Sequence, residues 1–147
     1  MLRLSKKTDY GLLALGYLAA EAPSGVASAR AIAERYDIPV ELLAKVLQHL
    51  ARRGFIAAQK GAYGGYHLTR PASAISLAEI VQAIDGPLAI TACGREDEQC
   101  DQFGRCTVRD PLARVKERIL SVLRDVTLAE MAPSDGVMPM VWKDAAR

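Results

Sequence analysis

Histidine is scarce, with two residues in 147, and no Ser/His/Asp set can be assembled around them. No glycine-rich stretch leads from a strand into a helix, as a phosphate-cradling loop does; the glycines at 61, 64 and 65 precede a second strand instead. An enzyme is therefore not expected. Long hydrophobic runs are missing too. The longest nearly uncharged stretch, Tyr10 to Ala20, is too short to span a bilayer. The basic start is interrupted by Asp9, with no clear cleavage site behind it. A cytoplasmic protein with no membrane partner is expected. There is no internal repeat and no low-complexity segment. The cysteines are only three, an odd number that makes a poor disulfide framework.

Half of the residues are apolar, enough for a globular core and too many for a disordered chain. The length suits one domain, or one small domain with an attached dimerisation element. The net charge of +2 says little, but its distribution is uneven. Residues 1–70 carry a net +5 and residues 71–147 a net −3, so the first half is suited to a polyanion.

Ser5 is a plausible cap for a first helix whose apolar face is Tyr10, Leu12, Leu13, Leu15, Leu18 and Ala19. Ser28 caps a short second helix through Tyr36. Pro39 suits the first position of a third helix, where its missing N–H costs nothing. That helix is expected to bury Leu42, Leu43, Val46, Leu47 and Leu50 and to expose Val40, Glu41, Ala44, Lys45, Gln48 and Arg52, with Gly54 as its stop. Phe55–Gln59 and Tyr66–Thr69 read as two strands around the turn Lys60–Gly65. Ser76–Glu79 is a capping box for a helix ending at Gly86. Asp110-Pro111 opens a long helix with Leu112, Val115, Ile119, Val122 and Leu123 on one stripe, and Thr127–Glu130 caps a last turn. The expected divisions are a DNA-binding unit at 1–86, a cysteine-bearing loop at 87–108, a long helix and last turn at 109–132, and a tail at 133–147.

Helix, short helix, turn, amphipathic helix, hairpin is the order of a winged helix-turn-helix, in a mainly α fold with a two-stranded wing. The third helix has a free face for a major groove. Lys6, Lys7, Lys45, Arg52, Arg53 and Lys60 can pair with phosphates and release counterions. The order and charge favour duplex DNA over a solvated basic face or a protein-interaction module. The candidate DNA contacts are Lys6, Ser28, Val40, Glu41, Ala44, Lys45, Gln48, Lys60 and Tyr63. Glu41 can accept from cytosine and Gln48 can read adenine, or either is merely exposed. His67 is expected to be a satisfied or exposed structural histidine.

Cys93, Cys100 and Cys106 fall within fourteen residues. Thiolates select zinc, copper(I) or iron–sulfur clusters. The segment lacks the Cys-x2-Cys pairs and the histidine of a usual zinc site. Spacing alone leaves cluster, zinc and plain or transiently paired thiols open. Glu96, Asp97, Glu98 and Asp101 crowd the segment, as possible ligands or as solubilising charge.

The opening Met1–Tyr10, the wing Lys60–Tyr66, the Ile84–Pro87 segment, the three cysteines and Thr127–Glu130 resemble, in order, the bacterial winged-helix iron–sulfur regulators typified by IscR and NsrR. The opening and the run Gly86–Cys93 look most like regulators of the Suf assembly operon. The resemblance implies a DNA-binding transcriptional regulator, a repressor, acting on a double-stranded operator as a homodimer through the long C-terminal helix. It implies an iron–sulfur cluster, 2Fe–2S or 4Fe–4S, on Cys93, Cys100 and Cys106, and sensing of iron–sulfur status, redox state or nitric oxide. IscR-like members place a His three residues after the last cysteine, where this chain has Arg109. NsrR-like members use an Asp at the position of Asp9, donated across the dimer. Taken by itself, Asp9 is also an acidic residue favourable to a helix's first turn. A zinc- or thiol-based redox switch on the same scaffold is the alternative.

Overall fold

The structure, a computed structural model, describes residues 3–20, 22, 25–91 and 100–132. Six α-helices and one hairpin occur among them: α1 (Lys6–Ala20), α2 (Ala29–Tyr36), α3 (Val40–Arg52), β1 (Ile56–Gln59), β2 (Gly65–Leu68), α4 (Leu77–Asp85), α5 (Arg109–Asp125) and α6 (Leu128–Met131). Two short 3-10 turns, Ala72–Ala74 and Phe103–Arg105, lie between them. This is a mainly helical winged helix-turn-helix with a two-stranded wing and a long C-terminal helix.

Side-chain oxygens at the helix starts account for several boundaries. The Ser5 hydroxyl accepts the Thr8 N–H at 3.2 Å, and the Ser28 hydroxyl accepts that of Ala31 at 3.1 Å. Pro39 stands one residue earlier than its sequence position suggested. It is the cap of α3, and its carbonyl accepts the N–H groups of Leu42 and Leu43 at 3.1 Å. The α2–α3 turn passes through Asp37 in the left-handed region at φ 51°, a conformation Asp tolerates.

The core is built from Leu15 and Leu18 of α1, Ile32 of α2, Leu43, Val46, Leu47 and Leu50 of α3, and Phe55, Ile56, Ile75 and Ile80 beyond. Four residues of the expected apolar faces are exposed instead. Leu13 is 40% exposed, because the faces of α1 that meet other helices carry Gly11, Ala14 and Gly16. At Gly11 a Cβ would stand 2.6 Å from the end of the Ile84 side chain, so the absence of a side chain leaves room for Ile84 of α4. Leu42 is 48% exposed on the flank of α3. In α5 the buried residue is Leu120, whereas Val115 and Val122 of the expected stripe are 45% and 62% exposed.

The wing pairs Ile56 with Leu68 through Gln59 with Gly65, antiparallel. A further bridge joins Tyr66 to Ala27, with N–H···O distances of 3.1 and 2.8 Å. A Cβ on Gly65 would stand 2.3 Å from the Ala27 carbonyl oxygen. At the other end, Ser76 and Thr127 bridge, Leu77 N–H donates to Val126 O, and Leu128 N–H donates to Ile75 O, both at 2.8 Å. Each bridging residue heads a capping box, Ser76 with Glu79 and Thr127 with Glu130. The capped backbone N–H of Ser76, followed by Arg70, holds the Glu79 carboxyl below its ordinary pKa despite some burial. The Thr127 N–H does the same for Glu130. Leu128 is fully buried in the common core, so α6 packs on α1 and the Ala72–Ala74 turn.

Asp85, the last residue of α4, accepts from the Ser5 N–H at 3.0 Å and from the Ser5 hydroxyl. Burial raises its pKa, but the two Ser5 bonds, with Thr8 and Lys7 behind them, outweigh that and hold it below the usual value.

Two outcomes are expected. Gly65→Ala must push the wing away from Ala27 and should destabilise the protein by about 1–3 kcal/mol, seen as a fall in Tm of about 3–10 °C by thermal circular dichroism. Because the folded pKa of Asp85 is depressed, its contribution is present above the unfolded carboxylate value and is lost as pH falls through the folded one. The Tm gap between wild type and Asp85→Asn should therefore shrink between pH 7 and about pH 3; a constant gap would remove Asp85 from the acid response.

Candidate nucleic-acid interface

The outward face of α3 presents Val40 (42% exposed), Glu41, Lys45, Gln48 and Arg52, with Ala44 half-buried among them. Leu43, Leu47 and Leu50 fix that orientation from the buried side. Lys6 and Lys7 at the start of α1 stand beside this face. They line, with Tyr10, Leu42, Lys45 and Arg52 among others, a groove of ≈ 490 Å³ between α1, α3 and α4. His49 joins the same groove and anchors α3 to α4 through a 2.7 Å contact between its Nε2 and the Ala83 carbonyl oxygen. Ser28 is exposed at the start of α2, and Lys60 and Tyr63 are exposed on the wing. The nine expected contact residues therefore lie on α1, the start of α2, the outer side of α3 and the wing.

The local field has one sign over a long stretch. Between Glu41 and Glu79 the sequence holds Lys45, Arg52, Arg53, Lys60 and Arg70 and no acidic residue. Arg70 is the exception to free positive charge: it pairs with Glu79 at 3.1 Å and lies 5.7 Å from the Phe55 ring centre. The other four are exposed and suited to phosphate oxygens. What the sequence reading missed is the groove itself. Leu42, Lys45, His49 and Arg52 recur at helical spacing along one flank of α3, which is the signal, but α1 and α4 complete the groove from distant parts of the chain. His67 also departs from expectation: it is half-buried on β2, and its Nδ1 is buried without a hydrogen-bond partner.

Cys100 and Cys106 are free, half-buried thiols at the two ends of the Phe103–Arg105 turn. The turn closes through Phe103 N–H to Cys100 O at 3.0 Å. Arg109 braces it from the first turn of α5, with its guanidinium 4.6 Å from the Phe103 ring centre and its Nε 2.9 Å from Asp110. Cys93, Glu96, Asp97 and Glu98 lie outside the described residues. Asp9 is exposed in the first turn of α1. Among the described residues no three His, Cys, Asp or Glu side chains converge as a metal site within one chain. The donor chemistry still fits an iron–sulfur group: two accessible soft thiols on one fixed turn, with a third near in sequence. No helix among the described residues is long and apolar enough to cross a membrane.

Lys45→Ala and Lys60→Ala should each weaken binding to all duplex sequences about equally and lower the slope of log K against log salt by about one. A fluorescence-anisotropy salt titration reads both; an unchanged slope removes that lysine from the interface.

Comparison with solved structures supports the same architecture. CymR of B. subtilis, described as its global cysteine regulator, is 28% identical with a TM-score of 0.71, over 90% of this chain and 97% of that one. The oxidized form of Staphylococcus aureus CymR is 26% identical with a TM-score of 0.70, over 92% and 99%. IscR of T. potens is 27% identical with a TM-score of 0.70, over 92% and 94%. The Rrf2 family profile, described as iron-dependent transcriptional regulator, matches residues 4–134. With that match over most of its length, the chain belongs to the Rrf2 family of DNA-binding transcriptional regulators and is not an enzyme.

Proposed function

We propose that this chain is a homodimeric, cytoplasmic repressor whose hold on a two-fold-related DNA operator depends on the state of Cys93, Cys100 and Cys106. The observation that carries this reading is the position of Cys100 and Cys106 at the ends of a turn braced onto α5. Among the described residues the apolar stripe of that helix is only partly covered, with Val115 and Val122 exposed and Leu112, Ile119 and Leu123 half-buried. Leu112, Val115, Ile119, Val122 and Leu123 offer the surface on which a second copy would pack. Two recognition helices would then face successive turns of the duplex.

On this reading the three cysteines hold an iron–sulfur cluster, 2Fe–2S or 4Fe–4S, and Asp9 of the second copy is the fourth ligand. The cluster supplies an oxidisable inorganic centre that ties the cysteine turn to a neighbouring helix. The protein's part is mechanical. With its thiols bound together, the Cys100–Cys106 turn has one arrangement against the start of α5. The paired capping boxes at Ser76 and Thr127 connect the far end of α5 to α4, and His49 connects α4 to α3. A difference at the cysteines can thus reach the reading helix. A coupling of ~1–3 kcal/mol changes operator affinity about 5- to 150-fold. The family description as iron-dependent and the similarity to T. potens IscR support the iron reading. The likeness of the opening and of the run ending at Cys93 to Suf-operon regulators points to iron–sulfur assembly genes as targets.

A second reading is a zinc- or thiol-based redox switch on the same scaffold. It is favoured by the free thiols Cys100 and Cys106 and by the similarity to an oxidized CymR.

Anaerobically prepared protein separates the two. Iron with acid-labile sulfide, and operator affinity that changes when the cluster is removed, are expected. Zinc without sulfide, or a colourless protein whose binding follows thiol oxidation, would establish the second reading. Asp9→Ala should alter the visible spectrum or shorten the lifetime of the cluster; an unaltered spectrum and lifetime assign the fourth ligand elsewhere.

A further inference from the structure

The wing ends in an aromatic side chain that no described residue covers. Tyr63 is 96% exposed, while the next most exposed of the large apolar residues described, Val122, is 62%. A phenol ring left in water at the tip of a polar hairpin contributes nothing to folding. Its surroundings are narrow. The Gly64 N–H donates to the Gly61 carbonyl at 3.0 Å, which puts Ala62 and Tyr63 at the two central positions of the turn. Gly61 has φ +122°, and a Cβ on Gly64 would stand 2.3 Å from the Gln59 carbonyl oxygen. The tip from 61 to 65 therefore carries one bulky side chain, flanked by Gly, Ala and Gly, with Lys60 at its shoulder.

The pedestal beneath this ring is fixed. The two hydrogen bonds between Tyr66 and Ala27, and the close approach of Gly65 to Ala27, tie the wing's base to the segment that enters α2. The tip is thereby held at a set distance from α3. Charge selects what it meets, since the whole stretch from residue 42 to 78 has no acidic side chain.

We propose that Tyr63 is a specificity-determining residue that reads the DNA minor groove, favouring A·T over G·C pairs where the wing lands. The proposal rests on the DNA-binding role and adds a minor-groove base preference to the major-groove contacts expected of α3. A minor groove is about 6 Å wide, which admits a slim tip bearing one ring but not a broad one. A·T pairs offer only acceptors on the groove floor, the adenine N3 and thymine O2, and the phenol O–H is a donor. The guanine 2-amino group fills the same floor and presents a donor of its own. Lys60 meanwhile pairs with phosphate and carries no sequence information.

Base analogues separate the grooves. Full-length protein selects its strongest duplex from a random-sequence library, and A·T pairs flanking the centre of each half-site are then replaced one at a time. Inosine·cytosine keeps the minor-groove pattern of A·T; diaminopurine·thymine gives that of G·C while leaving the A·T major-groove edge. At the wing positions, diaminopurine should weaken wild-type binding about 5- to 10-fold, and inosine should leave it within about twofold. Tyr63→Ala should bind the A·T and diaminopurine duplexes equally, whereas Lys60→Ala should lose affinity for both alike. The ring makes no packing contact, so Tyr63→Ala should keep the wild-type Tm. Undiminished discrimination by Tyr63→Ala, or wild-type indifference to diaminopurine at every position, overturns the proposal while leaving DNA binding intact. A library from which no duplex is enriched overturns the DNA-binding reading itself.

Discussion

Two backbone hydrogen bonds between Ala27 and Tyr66 join the wing to the chain just before α2, and they exist because Gly65 has no side chain. The wing and the entry to α2 are both positioned from this junction. On one side of it Ser28 caps α2, and α2 and α3 follow through the left-handed turn at Asp37. On the other side β2 returns through the hairpin to Tyr63 and Lys60. A two-stranded hairpin is marginal by itself; here the third backbone partner, together with Phe55 and Ile56 in the core, makes it a fixed projection rather than a loose loop.

The opposite end of the molecule has a comparable junction made from two capping boxes. The Ser76 hydroxyl accepts the Glu79 N–H, and the Thr127 carbonyl accepts the N–H groups of Glu130 and Met131. Each cap residue donates its own N–H and hydroxyl to the glutamate three residues on, and the two bridge one another. Leu128, fully buried, fixes the end of α5 into the same core that supports α3. The long helix is therefore no separate appendage. It is fastened to the DNA-binding unit where it ends, and to the cysteine turn where it begins, through Arg109 and Phe103. Between these two attachments α5 runs unbroken from Arg109 to Asp125.

Charge and apolar surface are segregated along the same line. Lys6, Lys7, Lys45, Arg52, Arg53 and Lys60 gather around α3, the start of α1 and the wing, while Val115 and Val122 stand exposed on α5, with Phe103 and Val108 just before it and Met131 just after. The first arrangement suits a polyanion and the second a copy of the same helix. The two surfaces are joined through α4, which His49 and the Ser5–Asp85 pair connect to α3 and α1.

Local chemistry made most of the fold legible in the sequence. Ser5, Ser28, Ser76–Glu79 and Thr127–Glu130 act within four residues, so their caps could be read directly, as could the periodicity of Leu43, Leu47 and Leu50 and the glycine-rich wing turn. The exposed side of α3 and the basic first half followed from the same patterns. Other features depended on which elements meet. Leu13 and Leu42 fit an apolar stripe by spacing yet stay exposed, because burial is decided by neighbouring helices rather than by period. Leu120 lies beside the expected stripe and is the residue that is buried, because only the packing of α4 on α5 chooses between adjacent faces. The groove of Lys6, Lys7, Lys45 and Arg52, the Ala27–Tyr66 bridge and the pairing of Ser76 with Thr127 join residues far apart in sequence, and no local pattern encodes such contacts. Sequence by itself thus determined the elements, their caps and the sign of the charge. Tertiary structure decided which apolar residues are buried and how the wing, the reading helix and the long helix are fastened together, because those are questions of approach between surfaces, not of spacing along a chain.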